Sequence, residues 1–141
     1  MAEKITAQAL LAAMKTHGAS DLHLKAGMPP VYRMGGHLRT VALPAMSGEE
    51  IDECMTAIIP PKRRAFYEEH GDLDFAAHLG ETERFRVNIF RAGGVMNAAI
   101  RRVNPTIPSY EELHLPKIYE KIIAETGEGI IIISGVTGSG K

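Results

Sequence analysis

The sequence is short of every residue type that builds a fibrous, disordered or cross-linked chain. A single cysteine, Cys54, stands among 141 residues. It cannot close an internal disulfide, which excludes a disulfide framework and fits a reducing, cytosolic compartment. Fourteen glycines and eight prolines are too few for a collagen-like or low-complexity chain. A surplus of charge is missing as well. Sixteen Lys and Arg against 17 Asp and Glu leave a net charge of −1, so no global field draws the chain to nucleic acid or to an acidic membrane. No apolar run approaches the roughly 20 residues that a bilayer span needs. The first 15 residues carry an acid at Glu3 and lack a basic stretch leading into a long apolar one, which reads against a secretory signal. Internal repeats are also absent. What remains is 45% hydrophobic and 23% charged, enough to bury a core without staples.

Local signals alternate between helix and strand. Thr6 can cap a helix with Leu10, Leu11 and Met14 at helical spacing, and Gly18 is placed to stop it. Three short strands are expected at Asp21–Lys25, Val31–Met34 and Leu38–Val41, with Gly35-Gly36 as a tight turn. Ser47 and Glu50 form a capping box ahead of Ile51, Met55, Ile58 and Ile59. A short helix, Pro61–His70, ends at Gly71. Residues 72–78 and 84–90 then alternate, with Phe85, Val87 and Ile89 on one face and Arg84, Arg86 and Asn88 on the other. Val95–Val103 follows a Gly93-Gly94 turn. The pattern predicts an α+β domain of about 100 residues, an antiparallel sheet with helices packed on it.

Composition shifts at Asn104–Pro108, where two prolines mark an extended linker. Ser109–Glu112 forms a second capping box, and a helix over about 116–125 places Ile118, Ile122 and Ile123 on one side. Ile130–Ser134 reads as a strand buried on both faces. It feeds into Gly135-Val136-Thr137-Gly138-Ser139-Gly140-Lys141, which fits G-x-x-x-x-G-K. In such a loop, glycines let backbone N–H groups converge on phosphate oxygens while the lysine supplies positive charge. At this chain's glycine and lysine usage an accidental match has a chance of about 7%, so the strand entering the loop carries more weight than the pattern. The Ser or Thr that would follow the lysine and hold Mg²⁺, and the helix that would face the phosphates, do not follow Lys141. A chain ending there is expected to be inactive by itself.

A second constellation is electrostatic. Arg84, Arg86, Arg91, Arg101 and Arg102 lie within 19 residues that contain no acid, while acids cluster at 49–53, 68–74 and 81–83. Guanidinium groups suit bidentate phosphate recognition, yet a solvated strand face paired with those acids explains the same pattern. The six histidines show no metal-ligand spacing, so no metal site is expected. Cys54 falls on a helix stripe as a packing residue. Asp72 and Asp74 share one strand face, and nothing in the sequence argues for a pocket that would make them a general acid and base.

Ala19-Ser20-Asp21-Leu22-His23-Leu24-Lys25-Ala26-Gly27, followed by Pro29-Pro30 and Arg33, resembles the opening signature of the type II/type IV secretion ATPases. The type IV pilus retraction (twitching motility) branch is nearest. Arg84-Phe85-Arg86-Val87-Asn88, Arg101, Glu111-Glu112-Leu113 and Gly135–Lys141 match further motifs in the same order. The resemblance implies a PAS-like N-terminal domain at 1–104, a linker and helix at 105–127, and at 128–141 the first strand and truncated phosphate loop of a RecA-like ATPase domain. It further implies a homo-hexameric ring using ATP and Mg²⁺, with Gly135, Val136, Thr137, Gly138, Ser139, Gly140 and Lys141 binding the nucleotide and the Mg²⁺ ligands lying outside this sequence. Arg86 and Arg101 take the role of phosphate-sensing arginines, with Arg84 and Arg102 as further candidates. The family usually has a small polar residue beside the sensing arginine, so which of Arg101 and Arg102 enters the site stays open. The implied location is cytoplasmic, peripheral at the inner-membrane base of the pilus, against a platform protein, with no nucleic-acid partner. Two alternatives remain: a type II secretion or pilus-assembly ATPase, and a non-enzymatic PAS-like ligand or interaction module.

Overall fold

The computed structural model describes residues 4–136. In chain order these form α1 (Ala7–Thr16), β1 (Asp21–Leu24), β2 (Val31–Met34), β3 (His37–Thr40), α2 (Gly48–Thr56), α3 (Pro61–His70), β4 (Asp72–Leu79), β5 (Glu83–Ala92), β6 (Val95–Val103) and α4 (Ile118–Glu125). The fold is α+β, as the alternation of patterns predicts. Internal packing divides the chain into two compact units, Met1–Pro105 and Thr106–Lys141.

In the first unit all strand pairs are antiparallel, in the order β3-β2-β1-β6-β5-β4. The caps act as the sequence indicates. Thr6 accepts from the Ala9 amide at 3.2 Å. Ser47 accepts from the Glu50 amide at 3.1 Å, while the Glu50 carboxylate accepts from the Ser47 amide at 2.7 Å. These bonds satisfy amide donors that a helix start otherwise leaves unpaired. Gly71 closes α3 in the left-handed region at φ 75°, where a side chain would be strained. Gly48 lets the start of α2 lie close to β6, since a Cβ there would fall 2.6 Å from the Val95 Cβ.

Leu10, Leu11 and Met14 of α1, Ile51, Cys54 and Met55 of α2, and Tyr67 of α3 share one buried cluster with Leu22, Leu73, Phe75, Phe85, Val87, Ile89 and Ile100 of the sheet. All three helices therefore cover a single sheet face. Each large side chain so buried contributes about 1.5–3 kcal/mol. The Tyr32 hydroxyl, within this core, donates to the Leu10 carbonyl at 3.1 Å and ties β2 to α1. Burial pushes its pKa up to about 12. Burial likewise pushes the Cys54 thiol up to about 11, so Cys54 is an inert packing residue.

The second unit departs from two sequence expectations. α4 buries none of its side chains, so Ile118 and Ile123 are exposed where a core stripe is predicted. Ile130–Ser134 forms no strand, and its four isoleucines face solvent. Both differences have one physical source. A stripe needs a second layer and a strand needs a ladder partner, and the described residues of this unit supply neither. The second capping box does form, with Ser109 and Glu112 exchanging bonds of 2.7 and 3.2 Å. The residues after it, Tyr110–His114, make turns rather than a helix. No helix among the described residues is long and apolar enough to cross a membrane.

Candidate functional site

The sheet face opposite the helices carries the polar half of every alternating strand. Register sets what meets there. Arg86 stands directly opposite Arg101, Arg101 opposite Asp21, and Asp21 opposite Arg33, so four charged residues from four strands form one row. Two residues along, Asn88, Ala99 and His23 make a parallel row, with Asp74 opposite Asn88. Arg84 lies on the same face, opposite Val103 and His78. Together Asp21, His23, Asp74, Arg86, Asn88 and Arg101 line an open depression of about 270 Å³.

Asp21 is the most enclosed acid of this face, with only 10% of its side chain exposed. Arg101 Nε donates to its Oδ1 at 2.8 Å, Ser20 Oγ donates to its Oδ2 at 2.9 Å, and Arg33 Nε lies 3.2 Å from Oδ2. Burial works to raise the Asp21 pKa. The hydrogen bonds from Arg101 and Ser20 and the charges of Arg101 and Arg33 outweigh it and hold the carboxyl below its ordinary 3.8. An acid whose folded pKa is depressed adds stability that is fully present above its unfolded value and is lost as pH falls through the folded one. The stability gap between the natural protein and Asp21→Asn is therefore expected to be widest at neutral pH and to close below about pH 3.8. Urea denaturation at pH 7, 5 and 3 measures it, and a gap that does not change with pH would remove Asp21 from the ionic account.

The structure separates the arginines that the sequence groups together. Arg84, Arg86 and Arg101 share the open face. Arg102 faces the helices instead, paired across from Phe85, and its Nε donates to Glu83 Oε2 at 2.8 Å. Lys15 of α1 approaches the other Glu83 oxygen at 3.3 Å. The Arg102 hydrogen bond first, and Lys15 beside it, hold the Glu83 carboxyl below its ordinary range. Glu83 thus joins Lys15 of α1 to Arg102 of β6, and Arg102 is not gathered with the other three. Arg91 lies over the Tyr67 ring, 5.5 Å from its centroid, away from the depression. Gly135 and Val136 are exposed in irregular backbone, while Thr137, Gly138, Ser139, Gly140 and Lys141 lie outside the described residues.

Sequence reasoning missed the clamp made by Asp21 with Ser20 and Arg33. These residues were legible as a signature, but 80 positions separate Asp21 from Arg101, and only the pairing of β1 with β6 brings them together.

No protein-family model matches the chain. It is 38% identical over 112 residues to a twitching motility protein of Neisseria gonorrhoeae, across 79% of this chain and 30% of that protein. With the type IV pilus retraction ATPase PilT of Pseudomonas aeruginosa it shares 33% identity over 132 residues, across 94% of this chain and 38% of PilT. A solved structure of the pilus retraction motor PilT with bound ADP superposes with a TM-score of 0.75 at 29% identity, covering 86% of this chain and 36% of that one. The chain belongs to the secretion ATPase family that includes PilT. It corresponds to the N-terminal part of such proteins and spans about a third of the length of the curated relatives it matches. The ATPase DotB of Legionella pneumophila shares the fold, with a TM-score of 0.76 at 24% identity, over all of this chain and 41% of DotB.

Proposed function

We propose that this chain is the N-terminal part of an ATP-hydrolysing hexameric motor for type IV pilus retraction, and that its open sheet face presents arginines to nucleotide phosphates. One observation carries this: Arg84, Arg86 and Arg101 are gathered on a sheet face that none of the unit's helices covers, beside an open depression. Guanidinium is always charged, offers a planar fork of donors and matches phosphate oxygens in pairs. Placed against a transferring phosphoryl group, such donors stabilise the charge that develops there. The PilT structure with bound ADP supports nucleotide use in this family.

On this reading residues 1–104 form a PAS-like domain, 105–127 connect, and 128–141 open a RecA-like domain whose phosphate loop holds ATP. The donor-only arginines fit a polyphosphate. Among the described residues no group of three or more His, Cys, Asp or Glu side chains is placed to hold a metal ion. The motor works at the cytoplasmic base of the pilus, against a membrane platform protein, and this portion by itself does not turn over ATP.

Deleting the gene in its host tests the direction of work. A retraction motor predicts cells that keep their pili and lose twitching. Bare cells would reassign the protein to pilus assembly, and normal pili with normal movement would reject both roles.

A further inference from the structure

Arg86 and Arg101 face each other directly across β5 and β6, an arrangement in which like charges repel. Each has a carboxylate nearby, but the two pairs differ in kind. Asp74 is 53% exposed and its Oδ1 lies 3.4 Å from Arg86 Nε, a long, solvated contact that contributes little. Asp21 is almost enclosed, its carboxylate is already fixed by Ser20 and Arg33, and its bond to Arg101 is 2.8 Å. Charge-assisted bonds of that length are the strong ones.

The bond to Asp21 engages Nε and leaves the two terminal Nη groups outside it, on a side chain that is 71% exposed. An arginine gripped at Nε has its guanidinium plane fixed while its outer edge stays open to an anion. Ordering a long side chain before binding removes a cost that the ligand would otherwise bear.

We propose that Asp21 is a positioning residue for the phosphate site: it grips Arg101 at Nε, with Ser20 and Arg33 holding the acid in place, so that the Nη edge of Arg101 meets the phosphate ready-aligned. Asp74, by contrast, is a releasable counter-ion that gives up Arg86 when an anion arrives. The proposal rests on the open face being a phosphate site.

Coulomb's law and positioning give opposite signs here. Neutralising an acid a few ångström from a bound anion strengthens anion binding on charge alone, whereas losing the grip on Arg101 weakens it. The test titrates the 141-residue chain with inorganic tripolyphosphate by calorimetry, with circular dichroism to confirm folding. Asp21→Asn is expected to bind at least about fivefold more weakly, because a carboxamide has one acceptor oxygen and no charge with which to serve Arg101, Arg33 and Ser20 together. Asp74→Asn is expected to bind about two- to fivefold more tightly. In a background of Arg101→Lys, which keeps the charge and lacks the Nε grip, adding Asp21→Asn should cost nothing more.

Binding by folded Asp21→Asn that equals or exceeds the natural chain overturns the proposal. If Asp21→Asn does not fold, Arg101→Lys decides alone: undiminished binding shows that no held guanidinium is needed and overturns the proposal equally. Failure of the natural chain itself to bind tripolyphosphate is a different result, which removes the phosphate reading of the face and the role of Asp21 with it.

Discussion

Arg86→Ala and Arg101→Ala, made singly in the protein that includes the ATPase domain, are each expected to lower ATP turnover at least about 100-fold while nucleotide affinity changes less than about fivefold. The asymmetry follows from chemistry. A phosphate loop supplies most ground-state binding through backbone N–H groups and its lysine. A guanidinium brought in from elsewhere in a motor acts chiefly on charge that appears as the phosphoryl group transfers, and such arginines are worth about 10³–10⁵ in rate where one carries the role alone. On the proposed reading two opposed arginines share it, hence the smaller figure for each. Arg102→Ala is the internal control. Its guanidinium is on the helix side, 22% exposed and bonded to Glu83, so any loss of turnover should track a lowered melting temperature. Steady-state ATPase assays beside nucleotide titrations decide the matter, and unchanged turnover in both Arg86→Ala and Arg101→Ala would end the phosphate role of this face.

Val87→Asp is expected to unfold the first unit, although it neighbours a position where alanine should be nearly silent. Val87 is fully buried between Phe75 on β4 and Ile100 on β6. A carboxylate there has no partner, and burying an unpaired charge costs several kcal/mol. That is a large part of the 5–15 kcal/mol that holds a typical domain together. Arg86, one residue earlier, points the other way and is 73% exposed, so Arg86→Ala should change stability by less than about 0.5 kcal/mol. Urea denaturation of the two variants measures the contrast. A cooperative, near-native transition in Val87→Asp would mean that the two faces of β5 have been assigned the wrong way round.

The α+β class, the helix caps and the alternation of β5 were legible because each is written within a few consecutive residues. Ser47 and Glu50 declare a capping box in four positions, and Arg84, Arg86 and Asn88 declare their shared face by spacing alone. Strand order was not legible. Nothing near Asp21 announces that its partner is Arg101, because pairing between distant strands is decided by which apolar faces pack on α1 and α2. The same limit explains Arg102. Its sequence neighbour Arg101 is chemically identical, and only the register of β6 against β5 sends one to the open face and the other to Glu83. Ile130–Ser134 misled in the opposite sense, since a run of β-branched residues records a preference for pairing and not the pairing itself.

The sheet order has a mechanical consequence. The first unit hands the chain on from β6, and β6 is an interior strand, with nine residue pairs joining it to β5 and four joining it to β1. A pull applied at Asn104 along the strand axis loads the hydrogen bonds of both ladders side by side, in shear. Had the exit been from an edge strand such as β4, a sideways pull could peel one ladder open a bond at a time. A unit tethered through its central strand is suited to transmit tension without unravelling.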